Sequence, residues 1–170
     1  MLPLNVPLSQ VSDPQEGVLL LVDKPLTWTS FDVVNKIRYY LKKELKTGKI
    51  KVGHAGTLDP LATGLLIICI GKYTKRIEEI QTQNKEYKGT MILGSTTPSY
   101  DLETEADNTF PISDLHEEEL LKTVLKFEGE IEQIPPAYSA VKVDGVRAYK
   151  KARDNQSIKL KSRTVNIETF

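Results

Sequence analysis

The chain has 170 residues, 39% of them apolar, and carries 23 basic and 23 acidic side chains. That length can bury one sizeable core, so one domain is expected, and the zero formal charge gives by itself no sign of a nucleic-acid partner. The lone cysteine, Cys69, excludes an intrachain disulfide and, with only two distant histidines, argues against a zinc site.

The first seventeen residues, MLPLNVPLSQVSDPQEG, have neither a basic start nor an apolar stretch. No signal peptide is therefore expected, and the unpaired cysteine fits a reducing, cytoplasmic setting. GVLLLVD (17–23) reads as a short strand covered on both faces. In TWTSFD, Thr29 or Ser30 can cap a helix whose first turn gains from Asp32. Val34, Ile37, Leu41 and Leu45 then share one helical face. A glycine-rich loop follows, and LLIICI reads as a second buried strand, with Cys69 a small buried hydrophobe. The runs LLLV and LLIICI are strand-sized, so no membrane span is expected. KYTKRIEEIQ reads as a short helix. EYKGTMIL alternates, with Tyr87, Met91 and Leu93 on one face, and predicts a strand. STTPSYDLETEADNT is a polar, turn-rich connection. Ser113 is expected to cap a helix whose Leu120, Leu121, Val124, Leu125 and Phe127 face a core. Asp144-Gly145 between apolar alternations signals a hairpin. VRAYKKAR reads as a basic helical turn, and TVNIETF as a last strand. Mixed strands and helices in this order predict an α+β fold with a mixed, largely antiparallel sheet.

Charge is unevenly spread. Seven basic residues and one acid lie between Lys36 and Lys51, and eight basic residues and two acids between Lys142 and Arg163. Eleven acids and two lysines lie between Asp101 and Glu132. Local potential rather than the total attracts phosphate, so a neutral chain can still offer two basic patches. Lys142, Arg147, Lys150 and Lys151 flank the predicted hairpin and are candidate phosphate contacts, which position RNA without reading bases.

The loop KVGHAGTLDPLATG (51–64) holds three glycines, His54 and a single acid, Asp59. Its glycines permit backbone conformations barred to other residues. Pro60 biases Asp59 towards extended geometry. A free aspartate, with a pKa of about 3.9, is ionised at neutral pH and is a modest nucleophile and good leaving group. A turn-capping aspartate is the plain alternative. His116, in the acidic run DLHEEE, reads as a solvated residue at a helix start.

Four blocks, VDKPLTWTSFDVVNKIR, VGHAGTLDPLATGLLIICIGKYTK, KEYKG and IEQIPPAYSAVKVDGVRAY, resemble in that order the TruB family of tRNA pseudouridine synthases. The resemblance runs from about Gly17 to Phe170. It implies a pseudouridine-synthase-like α+β fold with a thumb-like insertion at about 131–155, preceded by an extension over 1–16. It implies conversion of one uridine in the TΨC loop of tRNA to pseudouridine, with no metal and no organic cofactor. The N1–C1′ bond breaks, the uracil turns, and the ring is rejoined through C5. On this pattern Asp59 is the catalytic carboxylate, attacking C1′ or C6 or taking a proton from C2′. His54 organises the displaced loop nucleotides, which suits base flipping, and Tyr87 stacks on the target base. Asp101, Lys24, Gly56, Thr57, Tyr138, Lys142 and Arg147 complete the expected substrate-binding set.

Some positions depart from the family. Where it often has glycine after the Lys-Pro pair, this chain has Leu26-Thr27-Trp28. Around Asp101 it reads PSYD, where an Asp-Thr-x-Asp pattern is common. The family's downstream strand, with an arginine that pairs with the catalytic aspartate, and its C-terminal RNA-binding domain lie beyond Phe170. Reduced activity and self-association through an open C-terminal strand are therefore expected of this chain. Two other readings follow: a catalytically silent tRNA-binding or RNA-folding module, and a small metabolic enzyme using Asp59 as a carboxylate base. The last gives no reason for the basic patches.

Overall fold

The computed structural model of the chain describes residues 13–44, 46–139, 141–143, 145–148, 151 and 160–170, the side chains of 142, 143 and 147 excepted. They fall into two compact units, Met1–Lys88 and Gly89–Phe170.

The first unit is built on a three-stranded antiparallel sheet of order β1–β3–β2, formed by β1 (Val18–Lys24), β2 (Val52–His54) and β3 (Gly64–Ile70). LLIICI is the central strand, which explains its unbroken apolar run. It pairs with β1 from Val18 opposite Ile70 to Lys24 opposite Gly64, and with β2 from Val52 opposite Ile70 to His54 opposite Ile68. Alternation then divides its side chains between two faces. Leu66, Ile68 and Ile70 pack with Val18, Val52 and the helix residues Val33, Val34 and Leu41. Cys69 lies on the other face with Ala55 and Ile80, and burial raises its thiol pKa, so it serves as a packing residue.

Helix α1 (Ser30–Lys43) starts at Thr29, which settles the choice between two capping residues. The Thr29 hydroxyl accepts from the Asp32 N–H at 3.1 Å, and the Asp32 carboxylate accepts from the Thr29 N–H at 2.8 Å. This reciprocal box satisfies two donors that a helix start leaves open. Leu45 lies outside the described residues. We expect Thr29→Ala to cost about 1 kcal/mol in urea unfolding. Hydrogen bonds from the Thr29 side chain, then its backbone, lower the Asp32 pKa below the unfolded value. The stability Asp32 adds is therefore present above the ordinary carboxylate range and lost as pH falls through the lowered value. Asp32→Asn should flatten that acid limb.

After β3 the chain passes through a 3-10 segment, Gly71–Arg76, into the short helix α2 (Ile77–Gln81), so KYTKRIEEIQ is helical in two parts. Among the described residues no helix is long and apolar enough to cross a membrane.

The second unit holds β4 (Ser95–Thr96) paired with β5 (Asn108–Thr109), and α3 (Glu117–Val124). It also holds β6 (Gly129–Gln133), β7 (Lys142–Val143), β8 (Val146–Arg147) and β9 (Arg163–Ile167). The Asp-Gly hairpin is present as the antiparallel β7–β8 pair, with Gly145 at φ +80°. In VRAYKKAR, Val146–Arg147 form β8, Ala148 and Lys151 are helical, and the other four residues lie outside the described residues.

Four expectations need correction. EYKGTMIL forms no strand, and Tyr87, Met91, Ile92 and Leu93 are exposed. Alternation fixes which side chains share a face; a strand also needs a ladder partner, and this segment has none among the described residues. The polar connection after it contains the short β4–β5 pair, tied by the Thr96 hydroxyl to Asp107 at 2.6 Å. Ser113 does not cap α3. The helix starts after His116, without a side-chain cap bond, because Ser113 is taken up in a separate turn closed by the Leu115 N–H and the Ile112 carbonyl. The α3 stripe is not core either: Leu121, Leu125 and Phe127 are exposed, and Phe127 stacks on Phe170 with ring centroids 5.7 Å apart. TVNIETF does form a strand, β9, which pairs with β6 from Gly129 opposite Ile167 to Gln133 opposite Arg163, and among the described residues its other edge has no partner.

Candidate active site

In the first unit the end of β1 meets the start of β3, Lys24 opposite Gly64, while β2 ends four residues further along β3, His54 opposite Ile68. Lys24 ends β1, His54 ends β2 and Gly64 begins β3, and the loop 55–63 spans the gap between the last two. Its start is fastened to the sheet by the Ala55 N–H donating to the Ile67 carbonyl at 2.8 Å. Gly56 sits at φ +116°, a conformation L side chains rarely adopt, and its carbonyl lies 2.5 Å from Nδ1 of His54. A carbonyl can only accept, so Nδ1 carries the hydrogen. In the neutral ring Nε2 is then left as an acceptor facing away from that contact.

The middle of the loop is held by the turn that precedes α1. Ser30 is 2% exposed, and its hydroxyl donates to the Leu58 carbonyl while accepting from the Leu58 N–H, both at 2.9 Å. The Leu58 side chain packs against the core below α1. One residue beyond Asp59, the Pro60 carbonyl accepts from the Thr27 N–H at 2.8 Å. Asp59 closes its own turn through the Ala62 N–H at 3.0 Å, and its side chain is exposed. Both neighbours of the carboxylate residue are thus tied to one short stretch, 27–30.

That stretch has an unusual filling. Lys24 is fully buried, and its ammonium donates to the carbonyls of Pro25 at 3.0 Å and Trp28 at 2.6 Å. Burial lowers its pKa, and the charges of Asp59 and then Asp32 oppose the shift. The buried ammonium therefore lies within the field of Asp59. Lys24 is committed to the turn, so its part in a substrate site is exerted through the loop. Thr27 stands at φ +69° in a turn closed by the Trp28 N–H and the Pro25 carbonyl. This position suits glycine, and a β-branched residue there costs about 1–2 kcal/mol. The glycine common in the resembling family thus has a physical counterpart here, filled at a cost by threonine.

The other expected residues fall elsewhere. Thr57 is exposed on the loop beside Asp59. Tyr87 is 74% exposed on a segment that belongs to no strand or helix. In the second unit Asp101 organises a turn: its Oδ1 accepts from the Ser99 hydroxyl at 2.6 Å and the Glu103 N–H at 2.8 Å. Thr97 donates to its carbonyl at 2.7 Å. Neighbouring Tyr100, at φ +61°, is displayed by that turn. Tyr138 is half-buried, and Lys142 and Arg147 lie on the β7–β8 hairpin. Sequence reasoning missed Ser30 in this role, because a hydrogen bond to a residue 28 positions away leaves no local pattern.

Comparison with known proteins agrees with the loop. Residues 42–170 match the family model for the TruB family pseudouridylate synthase, N-terminal domain. The tRNA pseudouridine synthase B of Flavobacterium johnsoniae is 56% identical over 156 residues, covering 91% of this chain and 68% of that protein. That of Parabacteroides distasonis is 58% identical over 153 residues, covering 89% and 65%. The chain spans about two thirds of the length of these curated relatives. A chain of a Cbf5-Nop10-Gar1 complex is 29% identical with a TM-score of 0.46, covering 76% of this chain and 32% of that one. The family match spans most of the chain and includes the entire Asp59 loop, and the chain belongs to the TruB family of pseudouridylate synthases.

Proposed function

We propose that the chain converts a uridine in the TΨC loop of tRNA to pseudouridine, with Asp59 as the catalytic carboxylate. The observation that carries this reading is the treatment of Asp59: an exposed carboxylate whose two neighbours are pinned to a turn built on a buried lysine. A merely turn-closing aspartate needs no such support. Ready-made orientation and fixed charge are what a carboxylate needs to act at once on a bound sugar or base. Relatives 56% and 58% identical over about nine tenths of the chain are named tRNA pseudouridine synthase B.

The buried target uridine has to leave its stack to reach Asp59, at a cost of a few kcal/mol. His54 is suited to fill or cap the gap, since its fastened ring offers one free nitrogen and a face for stacking. Tyr87, largely exposed, stacks on the flipped uracil, a contact worth about 1–3 kcal/mol. Gly56 and Thr57 allow backbone close to the nucleotide. Asp101 and Tyr138 belong to the substrate surface of the second unit, and residues 131–155 act as a thumb-like clamp whose Lys142 and Arg147 meet phosphate. The isomerisation breaks N1–C1′, forms C5–C1′, releases the C5 hydrogen to solvent and returns a proton to N1, so no cofactor is consumed. The cytoplasm, where tRNA matures, is the expected setting.

Incubation with tRNA tritiated at uridine C5 tests the reading directly. Release of tritium with a single modified position in the TΨC loop is expected. Tight tRNA binding without release would instead favour a silent RNA-binding module. Salt dependence of binding gives a second check. Each phosphate contact adds about 0.7–0.9 to the log–log salt slope, so replacing Lys142, Arg147 and Lys151 with alanine should lower it by about 2. An unchanged slope would mean that these charges face solvent in the complex.

A further inference from the structure

We propose that Ser30 is a positioning residue for Asp59, acting through the peptide that joins Leu58 to Asp59. The proposal rests on the isomerase reading above for its effect on turnover. The hydroxyl of Ser30 is not needed by its own helix, since the cap is Thr29 with Asp32. It is buried and turned towards the loop, where it donates to the Leu58 carbonyl and accepts from the Leu58 N–H at 2.9 Å each. One hydroxyl thereby fixes two successive peptide planes. The second of these planes ends at the nitrogen of Asp59, so its rotation sets the direction in which the carboxylate leaves the backbone.

The Leu58 side chain is anchored in the core, but an anchored side chain does not by itself prevent the following peptide from turning. Beyond Asp59 the Thr27 N–H holds the Pro60 carbonyl. Ser30 and Thr27 thus grip the chain on either side of one residue, and that residue is the exposed acid. Thr27 accepts a left-handed backbone, φ +69°, in the turn that presents its N–H. Strain of this kind is retained where a site requires the geometry. Removing the Ser30 grip should leave the RNA surface in place and misdirect the carboxylate, and a displacement of about 1 Å can cost on the order of 10²-fold in rate.

Ser30→Ala is expected to lower kcat for tritium release by about 10–100-fold, with KM for tRNA changed by less than about two-fold. Val34→Ala serves as the control. Val34 is buried in the same helix and packs in the core, so it should lower the unfolding temperature while leaving kcat within about two-fold. Ser30→Thr, which keeps a hydroxyl, should recover much of the rate. Ser30→Cys, with a weak donor and acceptor of similar size, carries the same test should the alanine variant not fold. Two readouts do not depend on turnover: faster hydrogen exchange of the Leu58 amide, and a changed carboxyl carbon signal of Asp59 in NMR spectra of Ser30→Ala. A folded Ser30→Ala with kcat within two-fold of the parent would overturn the proposal, as would unchanged Leu58 and Asp59 signals. If the parent chain releases no tritium, the isomerase reading fails by itself, and the two NMR signals still decide whether Ser30 positions Asp59.

Discussion

Asp59→Asn is expected to reduce tritium release at least ~10³-fold while tRNA affinity stays within a few-fold of the parent. The lower bound is conservative, since removing the nucleophile of a hydrolase costs on the order of 10⁶. The amide matches the carboxylate in size and shape, so the exposed loop and its ties to Ser30 and Thr27, which are backbone ties at 58 and 60, remain. Only charge, nucleophilicity and basicity are lost. Those are the properties required whether the carboxylate attacks C1′ or C6 or takes a proton from C2′. The measurement is single-turnover tritium release beside a binding isotherm on the same tRNA. An Asn variant that keeps a tenth of the parent rate would remove Asp59 from the chemistry.

Lys24→Met is expected to destabilise the first unit by about 2–4 kcal/mol and to lower turnover by about ten-fold. Methionine fills similar space but leaves the carbonyls of Pro25 and Trp28 without their donor. Each such loss costs about 1–3 kcal/mol, offset in part because an ammonium need no longer be buried. The turn 25–30 then loosens, and with it the two grips on the Asp59 loop. The charge that attracts Asp59 also disappears. The pH dependence has a definite sign. Burial sets the folded pKa of Lys24 below that of the unfolded chain, so between the two values the unfolded chain binds more protons. Stability from this group therefore rises with pH between the lowered value and the ordinary lysine value of about 10.4. Below that window the parent carries the full cost of the buried charge. Urea unfolding across the alkaline range should show the rise in the parent and its loss in Lys24→Met. A variant as stable and as active as the parent would show that the buried ammonium supports neither the turn nor the loop.

Much of the first unit was legible because its signals are local. An unbroken apolar run such as LLIICI requires cover on both faces, and the central strand of a sheet provides it. Thr29 and Asp32 lie three positions apart, the spacing at which each side chain reaches the other's backbone N–H. Asp144-Gly145 marks a hairpin because a tight turn between strands needs positive φ, which Gly145 supplies. Asp59 stood out for a similar reason. Glycines and proline prevented its loop from being an ordinary helix, and it was the loop's single acid.

The second unit resisted the same reasoning because periodicity names a face without naming what covers it. EYKGTMIL alternates as a strand would, yet lacks a ladder partner among the described residues, while IEQ, with little apolar signal, gains one in β9. The α3 stripe shares a helical side, but Leu121 and Leu125 on it remain exposed. Composition, capping and turn chemistry act within a few residues, so the chain's own order determines them. The Asp59 site depends on other distances. Lys24, expected in the substrate-binding set, became a buried charge because β1 ends under the turn that its ammonium fills. Ser30 had the look of a helix cap and became a clamp on Leu58, because the sheet brings α1's first residue to a loop 28 positions away. Only the packed fold decides such pairings, since a hydrogen bond reaches about 3 Å in space and is indifferent to separation along the chain.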